Sequence, residues 1–146
     1  MSTKIYFSFP FKFETQAKNI INQINELIIK ELQGSESWKF LIPESLDCLM
    51  HEYFYGDLKF LDSSDIFLIH LPEASIGASC ELAIFKTKFP FKPAIGIKCC
   101  KHGWLERLLD YKFDNIESTA KCLSRLIENI NSRTILDGRN VFLRGE

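Results

Sequence analysis

A strong charge of either sign is missing from this chain: 18 Lys and Arg stand against 19 Asp and Glu, a net −1 over 146 residues. Overall charge therefore gives no support to a nucleic-acid or membrane-surface partner. Also missing is any run near the roughly 18 apolar residues that a membrane span needs. The N-terminus is too short in apolar run for a signal peptide and leads straight into a strand. The five cysteines (Cys48, Cys80, Cys99, Cys100, Cys122) are odd in number and show no C-x-x-C spacing. They fit buried thiols in a reducing, cytoplasmic compartment better than a disulfide frame or a zinc site. His51, His70 and His102 show no H-x-x-x-H spacing, so neither a metal nor another cofactor is expected.

What is present is an alternation of strand and helix signals in a chain long enough for one full core. Residues 4–8 are a short apolar strand, and Phe9-Pro10-Phe11-Lys12-Phe13 is a loop because proline removes a donor and restricts its predecessor. From 14 to 32, Ala17, Ile20, Ile21, Ile24, Leu27, Ile28 and Leu32 recur at helical spacing, and Gly34 ends the helix. Strands are predicted at 38–42, 65–71, 94–98 and 112–113, and helices at 46–63, 75–88, 104–111 and 116–131. Asp114 or Asn115 caps the last helix, leaving 132–146 as a tail or dimer-docking arm of a single domain spanning 1–146. Apolar, unalternated strands between helices mean an α/β fold with a parallel sheet covered on both faces. A flavodoxin-like or Rossmann-like sheet of about five strands is the most economical topology, with its ligand beyond the carboxyl ends of the strands.

Two carboxylates stand where folding alone does not want them. Asp57 interrupts a helical stripe of Met50, Phe54 and Leu61, and Glu81 is the only charged residue between Ala74 and Phe85. A lone buried carboxylate costs several kcal/mol unless it is paired, hydrogen-bonded or protonated. Two carboxylates across an anomeric carbon are what glycosidic cleavage requires: one attacks or stabilises the sugar, the other handles the leaving group's proton. Glu81, expected in the first turn of its helix, should be kept ionised by the helix dipole. Asp57, in its apolar stripe, should have the higher pKa and hold a proton. The plain alternative is that Asp57 caps a loop and Glu81 faces solvent. Ser75-Ile76-Gly77-Ala78-Ser79 is a small-residue turn into a helix, suited to an anion or simply to an ordinary N-cap. Lys86, Lys88, Lys92, Lys98 and Lys101, with no acidic residue between Leu82 and Leu105, form either a solvated face or an attraction for phosphate.

These residues together resemble the nucleoside 2-deoxyribosyltransferase superfamily, and within it the 2′-deoxynucleoside 5′-monophosphate N-glycosidases. The matching features are Ile5-Tyr6-Phe7 in the opening strand, Asp57 with Leu61, Asp65 at the start of the next strand, and Ser75-x-Gly77-x-x-x-Glu81. The resemblance covers roughly residues 4–98. It implies Glu81 as the nucleophile at C1′, Asp57 as proton donor to the base, and Tyr6 as the group orienting the glutamate. It places Ser75, Gly77, Ser79 and Lys12 at the phosphate and substrate, with Phe9 and Phe11 as candidate stacking faces for the base. It further implies a homodimer. The chain departs from the family in its bulky Phe9-Pro10-Phe11 loop, in lysine for arginine at position 12, and in lacking a clear partner-subunit serine near Lys101-His102-Gly103.

Ser75 separates two branches of that family. An aspartate at this position suits a free 5′-hydroxyl, whereas a serine can donate to a 5′-phosphate that a carboxylate would repel. The expected activity is hydrolysis of nucleoside 5′-monophosphates to a free base and a (deoxy)ribose 5-phosphate through a glycosyl–Glu81 intermediate. The alternatives are base exchange between nucleosides and a non-catalytic nucleotide-binding module.

Overall fold

The computed structural model describes residues 2–42 and 50–140, with side chains described outside 50–56 and 134–140. Five parallel strands, β1 (Thr3–Ser8), β2 (Trp38–Leu41), β3 (Ile66–Ile69), β4 (Ala94–Ile97) and β5 (Tyr111–Phe113), form one sheet in the order β2-β1-β3-β4-β5. Five α-helices connect and follow them: α1 (Glu14–Leu32), α2 (Met50–Ser63), α3 (Ile76–Lys88), α4 (Gly103–Leu108) and α5 (Ile116–Asn140). The strand order reverses between β1 and β3. Right-handed crossovers therefore put α1 on one face and α2, α3 and α4 on the other, with α5 returning beside α1. This is the α/β architecture the apolar strands imply.

Alternation along the strands divides the core. Ile5, Phe7, Ile66, Leu68, Ile95 and Ile97 pack under Ile20, Ile24, Ile28, Leu123 and Ile127 of α1 and α5. Tyr6, Phe67, Ile69 and Ala94 face the opposite way, against Leu61, Leu82, Phe85 and Leu105 of α2, α3 and α4. Gly96 has a packing reason: a Cβ there would come within 2.7 Å of Leu109 Cδ1.

The amino end of the sheet is closed by a polar network. Thr3 Oγ1 donates to Asn131 Oδ1 at 2.7 Å, and Asn131 Nδ2 donates to Glu36 Oε2 at 2.7 Å and to the Ser37 carbonyl at 3.2 Å. Asp65 Oδ2 accepts from the Lys4 N–H at 2.8 Å, locking β3 beside β1. Lys86 pairs with Asp110 at 2.8 Å, Lys88 with Asp62 at 2.7 Å, and Lys92 Nζ donates to the Ser64 carbonyl. Three members of the basic run are thus fold contacts at this end and do not form an open attractive face.

Several boundaries differ from the sequence reading. The 9–13 loop contains a 3-10 turn over Phe11–Phe13 that feeds directly into α1. The left-handed step after α1 begins at Gln33 (φ 48°), one residue before Gly34. α4 ends at Leu108, which frees Tyr111 to join β5. Asn115 Oδ1 accepts from the Ser118 N–H and caps α5. α5 runs on to Asn140, so the polar segment from 132 begins as helix. Residues 46–49 of the expected second helix, and 141–146, lie outside the described residues.

Candidate active site

β1 and β3 end side by side where the strand order reverses, the position at which such sheets hold ligands. Tyr6 and Ser8 project from β1 onto the α2–α3 face, both fully buried. The Tyr6 hydroxyl donates to Glu81 Oε2 across this space. Asp57 approaches from the last turns of α2, close enough for its charge to act on Glu81. Three elements distant in sequence thereby meet at one carboxylate.

Electrostatics at this point overturn one expectation. No acidic residue stands in the first turn of α3; Glu81 lies in the second, where the dipole gives little help. Burial is the main influence on it and raises its pKa from the ordinary 4.5 to about 7. The Tyr6 hydroxyl works against that rise, the Asp57 charge adds to it, and the Ser8 hydroxyl again opposes it. Burial alone raises Asp57 from 3.8 to about 6. Both carboxyls are therefore poised near neutrality, and Glu81 is not the firmly ionised partner that its expected place at a helix start implies. The two titrate as a pair.

The remaining candidate residues separate. Ser75 is the N-cap of α3 in extended conformation, and its hydroxyl makes no cap bond, leaving that group available. Gly77 lies one turn before Glu81 on the same side of α3. A Cβ there would meet nothing within 4 Å, so packing does not demand the glycine and the approach to Glu81 stays open. Ser79 is not brought to the carboxylates. It lines, with Cys80 and Ala83, a cavity of about 310 Å³ between α3 and α4 that Leu71, Leu105 and Trp104 complete. Phe9 is 5% exposed and belongs to the core against α1, so its ring is not available for stacking. Phe11 is 44% exposed. Lys12 stands at the rim, its Nζ 3.0 Å from Glu73 Oε2 in the loop after β3, with both side chains well exposed.

Two residues at the carboxyl ends of the strands were not singled out from the sequence. Ser8 Oγ is near enough to Glu81 to influence it, yet it has no hydrogen-bond partner of good geometry. His70, fully buried directly after β3, donates from Nδ1 to the Ile97 carbonyl at 2.9 Å, which leaves Nε2 as an unpartnered acceptor. Burial, chiefly, lowers its pKa and keeps it neutral. A serine and a histidine ending two central strands were the available signal. Burial pushes the Cys99 and Cys122 thiols up to about 11, so neither is a ready thiolate. Among the described residues no group of three or more His, Cys, Asp or Glu could hold a metal ion.

Fold and site together define an α/β protein of flavodoxin-like strand order with a desolvated carboxylate pair at its switch point. Its fold is shared with a 2-deoxyribosyltransferase from Bacillus psychrosaccharolyticus (TM-score 0.60, 18% identity, covering 81% of this chain and 90% of that one). It is shared also with a conserved protein from Enterococcus faecalis V583 (TM-score 0.64, 14% identity, covering 83% of this chain and 96% of that one). No protein-family model and no curated protein sequence matches the chain.

Proposed function

We propose that the protein is an N-glycosidase of nucleoside 5′-monophosphates. The observation that carries this reading is the meeting of Tyr6, Asp57 and Glu81 at the switch point, with both carboxyls raised toward neutrality by burial. Such a pair can hold one proton between them and exchange roles. In the reaction, a Glu81 carboxylate oxygen forms a bond to C1′ as the C1′–N bond breaks. The bonding electrons go to the base, which takes the proton held by Asp57. Water then attacks C1′ and gives its proton to Asp57, and the Glu81 carboxylate departs. For Glu81 to attack, the proton that the pair shares must stand on Asp57.

Ser75 is assigned to the 5′-phosphate, with its unused hydroxyl at the start of α3. Lys12 is assigned to the same phosphate, which must compete with Glu73 for it. A second reading draws on the same pair. Glu73 brings a carboxylate to the rim, a group suited to a free 5′-hydroxyl, and the Bacillus fold neighbour is named a 2-deoxyribosyltransferase. Base exchange between nucleosides is the resulting alternative. A homodimer is part of our proposal, since Ile76 (87% exposed) and Trp104 (71% exposed) offer an apolar face on α3 and α4. So is a cytoplasmic location, in keeping with the free Cys80, Cys99, Cys100 and Cys122. No helix among the described residues is long and apolar enough to cross a membrane.

The deciding experiment incubates the protein with single ribo- and deoxyribonucleoside monophosphates and their nucleosides, with and without a free acceptor base. Free base without acceptor supports the hydrolase. Exchange only with acceptor supports the transferase, and binding without turnover reduces the protein to a nucleotide-binding module.

A further inference from the structure

Ser8 is an expensive residue for its position. Its hydroxyl is fully buried at the end of β1 with no hydrogen-bond partner of good geometry, in a place where alanine would leave nothing unsatisfied. Its cross-strand neighbour, Ile69, offers no side-chain acceptor. Ser8 and Tyr6 are two residues apart on one strand and share one face of the sheet, and Tyr6 already bonds to Glu81 Oε2. We propose that Ser8 is the second donor to the Glu81 carboxylate: its Oγ–H turns onto the carboxylate when Glu81 ionises, making Ser8 a positioning residue for the nucleophile. The inference rests on the glycosidase reading for its consequence, but not for the hydrogen bond itself.

The groups acting on Glu81 make a second donor necessary. Tyr6 from β1 donates to one oxygen, while Asp57 from α2 opposes ionisation. No other titratable side chain among the described residues acts on it. A desolvated carboxylate with one donor and an anionic neighbour favours its protonated form, in which it cannot attack. Rotation of one hydroxyl, with no backbone movement, supplies the missing donor as the charge appears. When Glu81 is neutral the hydroxyl is released.

Two measurements on wild type, Ser8→Ala and Ser8→Thr test this. The first is the titration of the Glu81 carboxyl carbon by NMR in the unliganded protein; the second is the pH profile of kcat/KM for base release. Ser8→Ala should raise the Glu81 titration midpoint by roughly one unit, a tenfold change in the ionised fraction. The acid limb of the profile should move by the same amount, and Ser8→Thr, which keeps the hydroxyl, should restore both. If Ser8→Ala does not fold, Ser8→Cys replaces it, with a smaller upward shift expected from a weaker donor. An unmoved titration, whether or not the melting temperature falls, assigns Ser8 to packing and overturns the proposal. A shifted titration in a protein that releases no base upholds the hydrogen bond and overturns the reaction.

Discussion

The two ends of the sheet are built on opposite terms. At the amino end the polar side chains among the described residues are spent on the fold: Thr3, Asn131 and Glu36 form a chain of short bonds, Ser64 binds back to the Phe60 carbonyl of α2, and Asp65 and Asp110 bind the backbone of β1 and β4. At the carboxyl end Ser8 Oγ and His70 Nε2 are buried without partners, and two carboxyls are desolvated near each other. The only other unpartnered buried side-chain polar atom among the described residues is Ser124 Oγ, within α5. An unpartnered buried group costs stability that a folding-only sequence would recover with an apolar residue. Its concentration at the carboxyl end, where sheets of this kind hold ligands, is what the proposed activity would require.

The contrast is broken most sharply at Glu81. Glu81→Gln should lower kcat for base release by about two orders of magnitude or more, the scale of a group acting only in the transition state. The same change should stabilise the protein at alkaline pH. Folding raises the Glu81 pKa from 4.5 to about 7, so the folded chain binds this proton more tightly and its ionisation across that interval costs stability. Melting temperatures should therefore differ little at pH 4 and favour the glutamine variant at pH 8. A variant that turns over normally would make Glu81 a structural residue.

Asp57→Asn is the next largest effect, and it should depend on the leaving base. The amide retains polar geometry but cannot supply the proton, so substrates with poorly stabilised leaving bases should slow most. Equal slowing for bases of very different basicity would limit Asp57 to positioning the sugar.

Ser75 sharpens the comparison at the mouth of the site. Ser75→Ala should raise KM for a monophosphate by the value of one charge-assisted hydrogen bond, about 1.5–3 kcal/mol. Ser75→Asp should do more and should spare the unphosphorylated nucleoside. Comparing kcat/KM for both substrates across the three proteins checks it, and a constant ratio would remove the phosphate from Ser75.

The smallest catalytic effect belongs to the amino end. Asn131→Ala strands Thr3 and Glu36 and should cost about 1–3 kcal/mol by denaturant unfolding, with kcat unchanged. A large fall in kcat with intact stability would mean that the two ends are coupled and the division described above is wrong.

Much of the architecture was legible along the chain. The bounds of α1 and the parallel, doubly covered sheet follow from apolar spacing, because periodicity is a property of neighbours in sequence. The meeting of Tyr6 with Glu81 was legible only through family resemblance, since no local pattern joins β1 to α3. Ser79 looked like part of the same small-residue turn as Ser75. It lies one helical turn on, beside Ser75, and reaches the cavity against α4. Phe9 looked like an exposed loop aromatic until the 3-10 turn folded it over the core.

The sequence by itself determined which segments are strands and helices, that the sheet is parallel, and that two carboxylates interrupt apolar surroundings. Tertiary structure alone decided that both are desolvated and act on each other, which serine stands beside them, and which lysines are already occupied. The reason is desolvation. A carboxyl's pKa is the sum of what surrounds it in space, and around Glu81 those surroundings come from β1, α2 and α3 at once. A pattern read along one helix predicted an ionised glutamate at a helix start. Packing placed it a turn further in, beside an aspartate and under a tyrosine, where water no longer supports the charge.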